Sequence, residues 1–148
     1  MIAVLQRARD AEVTIDDRRS GAIDHGLVIL LGVFDDDAEE DVEYLAEKSA
    51  NLRIFNDADD KMNLSVKDVG GSVLVVSQFT LCADTRKGRR PSYIHAAPPD
   101  QADRLYQYFI EQLRSHDLPV ASGEFGAMMD VRFTNAGPVT IILDSHDR

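Results

Sequence analysis

Gly71-Ser72-Val73-Leu74-Val75-Val76-Ser77-Gln78-Phe79-Thr80-Leu81 is the stretch whose reading decides the fold. Val73 to Val76 are consecutive branched aliphatics with no polar face between them, so Ser72 to Leu81 is read as a central strand covered on both sides. Gly70-Gly71 breaks the chain just before it. On its N-terminal side, Met62 to Val66 is expected as a short strand, Asp57 to Lys61 as a turn and Leu52 to Phe55 as an extended segment. From Ala38 to Asn51, Val42, Leu45, Ala46 and Ala50 recur at helical spacing behind an acidic first turn, which predicts an amphipathic helix. Ile2 to Gln6 and Ala11 to Ile15 alternate as a pair of strands, and Leu27 to Val33 is a third. On the C-terminal side, Pro98-Pro99 predicts a helix over Asp100 to Ser115, its face marked by Leu105, Tyr108, Phe109 and Gln112. Three extended segments end the chain: Pro119 to Ser122, Met128 to Phe133 and Val139 to Leu143. Runs of strand interrupted by two main helices give an α+β class with a curled, mostly antiparallel, barrel-like sheet.

The 148 residues, 44% of them hydrophobic, suit a single domain over 1–148 with one core, and no repeat, linker or low-complexity tract divides them. Gln6, Arg7 and Arg9 interrupt the opening apolar run, so no signal peptide is expected, nor any membrane partner. Cys82 is the sole cysteine, which excludes an internal disulfide and points to a reducing, cytoplasmic compartment. It is read as a small core residue, with a nucleophilic role as the alternative. A formal net charge of −10 argues against a protein that coats DNA or RNA through a general positive field. Any RNA contact has to be local, and Arg86, Lys87, Arg89 and Arg90 around Gly88 are the candidate, against a solvated turn. The acidic runs Asp35 to Asp37, Glu39 to Asp41 and Asp57 to Asp60 are read as solvated loop and helix-start positions.

His25, His95, His116 and His146 are scattered without metal-ligand spacing, and no glycine loop is built to cradle a phosphate, so neither a metal nor a cofactor is expected. Two stretches draw attention. In Ser77-Gln78-Phe79-Thr80-Leu81 a wholly apolar strand turns polar at its end, where side chains are held by the sheet yet reach solvent. The competing reading is that Ser77, Gln78 and Thr80 satisfy backbone groups as the strand exits. In Asn135-Ala136-Gly137-Pro138-Val139-Thr140 a Gly-Pro turn opens the last strand, a common device. A cis Gly137-Pro138 bond would instead turn two successive carbonyl oxygens the same way, into a pocket.

With Met1-Ile2-Ala3-Val4-Leu5-Gln6-Arg7, Leu30-Leu31-Gly32-Val33, Arg53-Ile54-Phe55, Lys61-Met62-Asn63-Leu64, Gly71 to Leu81, Arg90-Pro91-Ser92 and Gly137-Pro138-Val139-Thr140, the chain resembles the D-aminoacyl-tRNA deacylase family nearly end to end. The resemblance implies a homodimer that hydrolyses the ester of D-aminoacyl-tRNA. Ser77, Gln78 and Thr80 then form the catalytic pocket for the terminal adenosine and the ester. Gly137 and Pro138 reach across the dimer into the partner's pocket as the chiral selector. Phe79, Phe125 and Met129 match substrate-binding positions, and Arg7 matches one that fixes the Gly-Pro loop. Ala136 and Met128 stand where family members often carry acidic residues.

An aminoacyl ester is already activated, so its hydrolysis needs a positioned water and a place for the developing oxyanion more than a strong acid–base pair. The resemblance therefore implies a route in which Thr80, Ser77 and backbone N–H groups orient the ester and the terminal 2′-hydroxyl assists the water. Carbonyl oxygens as selector exclude L side chains, admit D side chains of many sizes and leave glycine unopposed, so glycyl-tRNA is expected to be cleaved too. A binding module without chemistry, an editing domain for L-amino acids and a structural dimerisation domain are the competing readings.

Overall fold

The structure, a computed structural model, describes residues 1–148. Two long strands, β1 (Ile2–Ile15) and β2 (Arg18–Gly32), form a hairpin that runs nearly the full height of the molecule. Its two-residue turn, Asp16-Asp17, has both φ angles positive, 49° and 60°, the conformation a tight hairpin needs and one that Asp tolerates. Helix α1 (Glu39–Asn51) follows, then a small hairpin of β3 (Phe55–Asn56) and β4 (Met62–Leu64). After β5 (Ser72–Ser77) come a 3₁₀ turn at Phe79–Cys82, helix α2 (Pro99–Ser115), β6 (Val120–Ser122) and β7 (Asp130–Asp144).

The main sheet has the order β6-β5-β2-β1-β7. β1 pairs antiparallel with β2 and β7, whereas β5 runs parallel to both β2 and β6. The sheet is therefore mixed: its long pairings are antiparallel, as expected, and the two shorter pairings of β5 are parallel. The reason is that α1 and the β3–β4 hairpin carry the chain back over one face between β2 and β5, and such a crossover makes the next strand parallel.

Both faces are covered. On one, Val42, Leu45 and Ala46 of α1 and Leu105, Phe109 and Leu113 of α2 pack on Leu5, Ile29, Val73 and Val75. On the other, the far half of the β1–β2 hairpin curls over the sheet and buries Ala11, Val13 and Ile23 against Val28, Leu74 and Val76. The full burial of Val73 to Val76 follows from this double cover. Gly26, at φ 139°, lies where the curl begins, and a Cβ there would sit 1.8 Å from the Ser72 carbonyl oxygen. At Gly21 the hairpin comes so close to β6 that a Cβ would lie 2.6 Å from the Ser122 carbonyl oxygen. Even so, β6 and β7 remain unjoined edges, and the sheet is curled without closing.

Several expected boundaries change. Ile2 to Gln6 and Ala11 to Ile15 are parts of one strand, because β1 crosses its charged centre by bulges against β7 and continues. Met128 to Phe133 and Val139 to Leu143 likewise merge into β7. The exposed half of β2 before Gly26 was hidden by its charge. Asp37 and Asp41, read as solvated, are buried at 5% and 8% exposure. Asp41 accepts the Ala38 N–H at 2.8 Å at the start of α1, and Asp37 accepts the Phe34 N–H at 2.6 Å with His146 Nε2 3.0 Å from its other oxygen.

Candidate functional site

The strand expected to run to Leu81 stops at Ser77. Gln78 N–H still donates to the Leu31 carbonyl at 2.8 Å, and the chain then coils, with Leu81 N–H donating to Gln78 O and Ala83 N–H to Thr80 O. The coil returns Cys82 to the core and lifts Phe79 and Thr80 into solvent, Phe79 to 55% exposure. The Gln78 side-chain amide donates to the Thr80 hydroxyl, which leaves the Thr80 proton free to point elsewhere. Phe79 and Thr80 open the turn, and the first amides of a helical turn have no acceptor within it. No histidine ring is hydrogen-bonded to Ser77 or Thr80; the ring contacts are His25 with the Val69 carbonyl and His146 with Asp37. Cys82 is buried, its thiol donates to the Val33 carbonyl, and burial, followed by repulsion from Asp37, pushes its pKa up to about 11. That is a core thiol, not a nucleophile.

The second segment is a loop extruded from the edge strand. Gln6 pairs with Thr140 and Ala8 with Asn135, so the four residues Ala136 to Val139 stand opposite Arg7 alone. An edge or a bulge is where a sheet tolerates proline. The Gly137-Pro138 peptide is cis, and Gly137 has φ 146°. Arg7 holds the loop from beneath: its Nε donates to the Ala136 carbonyl at 2.6 Å, and Nη1 donates to Ile54 O at 3.0 Å and Asn56 Oδ1 at 3.2 Å. Asn135 closes it, accepting the Val139 N–H at 2.8 Å and donating to the Thr140 hydroxyl at 3.1 Å. Asn135 and Asn56 were missed in the sequence, where nothing marks an amide as a loop clamp.

These two segments lie in a chain whose residues 4–144 match the family model described as D-Tyr-tRNA(Tyr) deacylase. The chain belongs to this family. It is similar to the D-aminoacyl-tRNA deacylase of Koribacter versatilis, 59% identical over 145 residues that cover 98% of this chain and 97% of the relative. Among solved structures it resembles a c-Myc DNA unwinding element binding protein, with TM-score 0.91 and 40% identity over 97% of this chain and 98% of that one. It also resembles a probable eukaryotic D-amino acid tRNA deacylase, with TM-score 0.80 and 20% identity over 96% and 98%, a likeness of fold.

Within the deacylase fold the two segments are far apart. Ser77 lies in the row Leu31, Ala3 and Leu143, whereas the loop stands beside Arg7, four residues further along β1. Three strand spacings across and four residues along put them roughly 20 Å apart. One chain does not bring them together. Phe125 and Met129 also separate: Phe125 packs on the helix-side core, its ring 6.0 Å from that of Tyr106, while Met129 packs in the cluster under the curl. Met128 is 90% exposed.

The basic loop is pinned by an antiparallel bridge between Asp84 and Ser92. Its four cations are not equivalent. Arg86 grips Asp84 with two contacts, 2.9 and 2.7 Å, and this hydrogen-bonded guanidinium holds the Asp84 carboxyl well below the usual range. Lys87, Arg89 and Arg90 are exposed and form no ion pair. Phe79 meets Tyr93 edge-on at 5.0 Å beside this loop, so aromatic and cationic groups share one surface.

Proposed function

We propose that the chain hydrolyses the ester linking a D-amino acid to the 3′ end of tRNA, releasing both, and that it works in the cytoplasm as a homodimer of 148-residue single domains without a cofactor. The observation that carries the reading is the Ser77–Thr80 turn: a central strand buried at Val73 to Val76 ends in the half-buried Ser77 and Gln78 and the exposed Thr80 hydroxyl, in a chain of the deacylase family. Ser77, Gln78 and Thr80 hold the ester, and the opening amides of the turn are suited to receive the oxyanion. The attacking water is positioned with the help of the terminal 2′-hydroxyl. A substrate with a 2′-deoxy terminal ribose is therefore cleaved slowly.

The separation of turn and loop within one chain supports a site made by two. In an isologous dimer the Gly137-Pro138 loop of each protomer enters the partner's pocket, and its carbonyl oxygens occupy the space of an L side chain. Phe79, Phe125 and Met129 contribute to binding the substrate, Arg7 fixes the loop, and Lys87, Arg89 and Arg90, more than Arg86, meet the tRNA backbone. The test is turnover of D-alanyl, L-alanyl and glycyl esters on one tRNA at catalytic concentration, with sedimentation at the same concentration. Cleavage of the D and glycyl esters by a dimer is expected. Binding without turnover reduces the chain to a binding module, and equal cleavage of the L ester removes the steric selector.

A further inference from the structure

A cavity of about 310 Å³ opens at the foot of the Gly137-Pro138 loop, and its lining is opposite in sign to the chain's net charge of −10. Arg7, Arg9 and His25 face it, Phe55 and Asn56 of the β3–β4 hairpin and Ala136 of the loop enclose it, and none of the residues that line it is acidic. Strand alternation builds the cationic wall. Arg7 and Arg9 are two apart on β1 and share a face, and His25 stands directly opposite Arg9 on β2. In a chain with 26 acidic and 16 basic residues, neither arginine has a carboxylate partner. His25 Nε2 lies 3.2 Å from the Val69 carbonyl, which leaves Nδ1 for another partner. Arg7 is half-buried, and its partners Ala136 O, Ile54 O and Asn56 Oδ1 are neutral. They satisfy its N–H groups without cancelling its charge.

We infer that Arg7, Arg9 and His25 form an anion site that holds a backbone phosphate of the tRNA's single-stranded 3′ end, while the ester of that same end lies at the partner's Ser77–Thr80 turn. The inference rests on the reading that the loop enters the partner's pocket, because an RNA end filling that pocket then passes the foot of the loop. A phosphate supplies the counter-charge that the cavity lacks, and a guanidinium meets its oxygens with paired N–H groups. Contacts of this kind carry no sequence information and fix position instead. The cavity therefore sets the register of the RNA end so that the ester reaches the turn, and each substrate is held by both protomers. An acidic protein repels RNA over most of its surface, so its attraction has to be concentrated in such local wells. This one is separate from the basic loop at Arg86 to Arg90 and acts on the strand end next to the chemistry.

The test measures binding of a non-aminoacylated RNA hairpin with a single-stranded CCA end to the wild type, Arg9→Gln, His25→Gln and the double variant over a range of salt. Turnover of D-tyrosyl-tRNA is followed beside that of D-tyrosyl-adenosine, which has the ester and no phosphate. The double variant should bind the RNA about 10-fold more weakly. Its slope of log affinity against log salt should be smaller by about 0.7, the value of one single-strand phosphate contact. On D-tyrosyl-tRNA its KM should rise with kcat unchanged, and on D-tyrosyl-adenosine it should equal the wild type. Arg9→Lys, which keeps the charge, should keep the salt slope. Both residues are exposed, so the melting temperature should stay within about 2 °C. Unchanged RNA affinity and salt slope in the double variant overturn the inference. So does an equal loss on D-tyrosyl-adenosine, which would make Arg9 and His25 supports of the loop. If inorganic phosphate binds the wild type and not the double variant while RNA binding ignores the substitutions, the cavity serves a small free anion and the assignment to RNA falls. RNA binding needs no turnover, so lost RNA affinity in a chain that cleaves neither ester would sink the deacylase reading and leave the phosphate site standing.

Discussion

The turn at Ser77–Thr80 and the loop at Ala136–Val139 are held by opposite means. The turn ends a strand paired on both sides, by β2 and by β6, and its entry is set by a backbone bond from Gln78 to Leu31. The loop interrupts the ladder of an edge strand and rests on two side chains, Arg7 and Asn135. A group positioned by main chain keeps its place when a neighbouring side chain changes, while a group positioned by side chains does not. Substitutions in the turn should therefore alter chemistry without stability, and substitutions around the loop should alter both.

The largest effect should follow Gly137→Ala. A Cβ there would lie 2.9 Å from an Arg7 guanidinium nitrogen and 2.8 Å from Val139, at a φ of 146° that L residues rarely adopt. A stability loss of about 1–3 kcal/mol is expected from the backbone conformation. Displacing the loop by an ångström should cost on the order of 100-fold in kcat/KM. Thermal melts and D-tyrosyl-tRNA hydrolysis read the two effects together, and loss of activity at unchanged melting temperature would erase the contrast between the regions.

Thr80→Val tests the other half. Thr80 is exposed and bonded to Gln78 alone among side chains, so the melting temperature should stay within about 2 °C while kcat falls roughly 10- to 100-fold. A fall to the uncatalysed rate would make the hydroxyl a nucleophile instead of an orienting group.

A smaller effect separates the cations of the basic loop. Replacing Lys87, Arg89 and Arg90 with Gln should flatten the slope of log affinity against log salt by about 2, given ~0.7–0.9 per phosphate contact. Arg86→Gln alone should change it little, since Arg86 is already committed to Asp84. The Asp84 carboxyl is depressed, so this clasp is complete above its ordinary value of 3.8 and is lost as pH falls through the lower folded value. An Arg86 contribution to the salt slope should emerge only in acid.

The smallest is at Cys82. Its thiol is raised from 9.0 to about 11, so the contribution to stability is full below pH 9 and lost as pH rises toward 11. At pH 8 an alkylating reagent should modify Cys82 only as the chain unfolds. Rapid alkylation of the folded protein would reopen the nucleophile reading.

The sequence by itself was enough for the elements whose pattern is local. α1 and α2 were expected within a residue of their observed starts, because apolar spacing and proline placement act within a few turns. The double cover of Val73 to Val76 followed from composition alone, and the polar turn at Ser77 and the Gly137-Pro138 loop were both singled out. Tertiary structure decided the rest. The overlong β5 was misread because Phe79 and Leu81 continue an apolar pattern that a 3₁₀ turn breaks for no local reason. The length of β1 and β7 was hidden because bulges let charged residues sit mid-strand without ending the ladder. The parallel half of the sheet depends on which way a crossover returns, and no window of sequence holds that information. Asp37 shows the limit most clearly. Within Asp35 to Asp37 its neighbours are equally acidic, and what sets it apart is the Met1 nitrogen 36 positions earlier and the His146 ring 109 positions later, brought together only when β1, α1 and the chain after β7 converge.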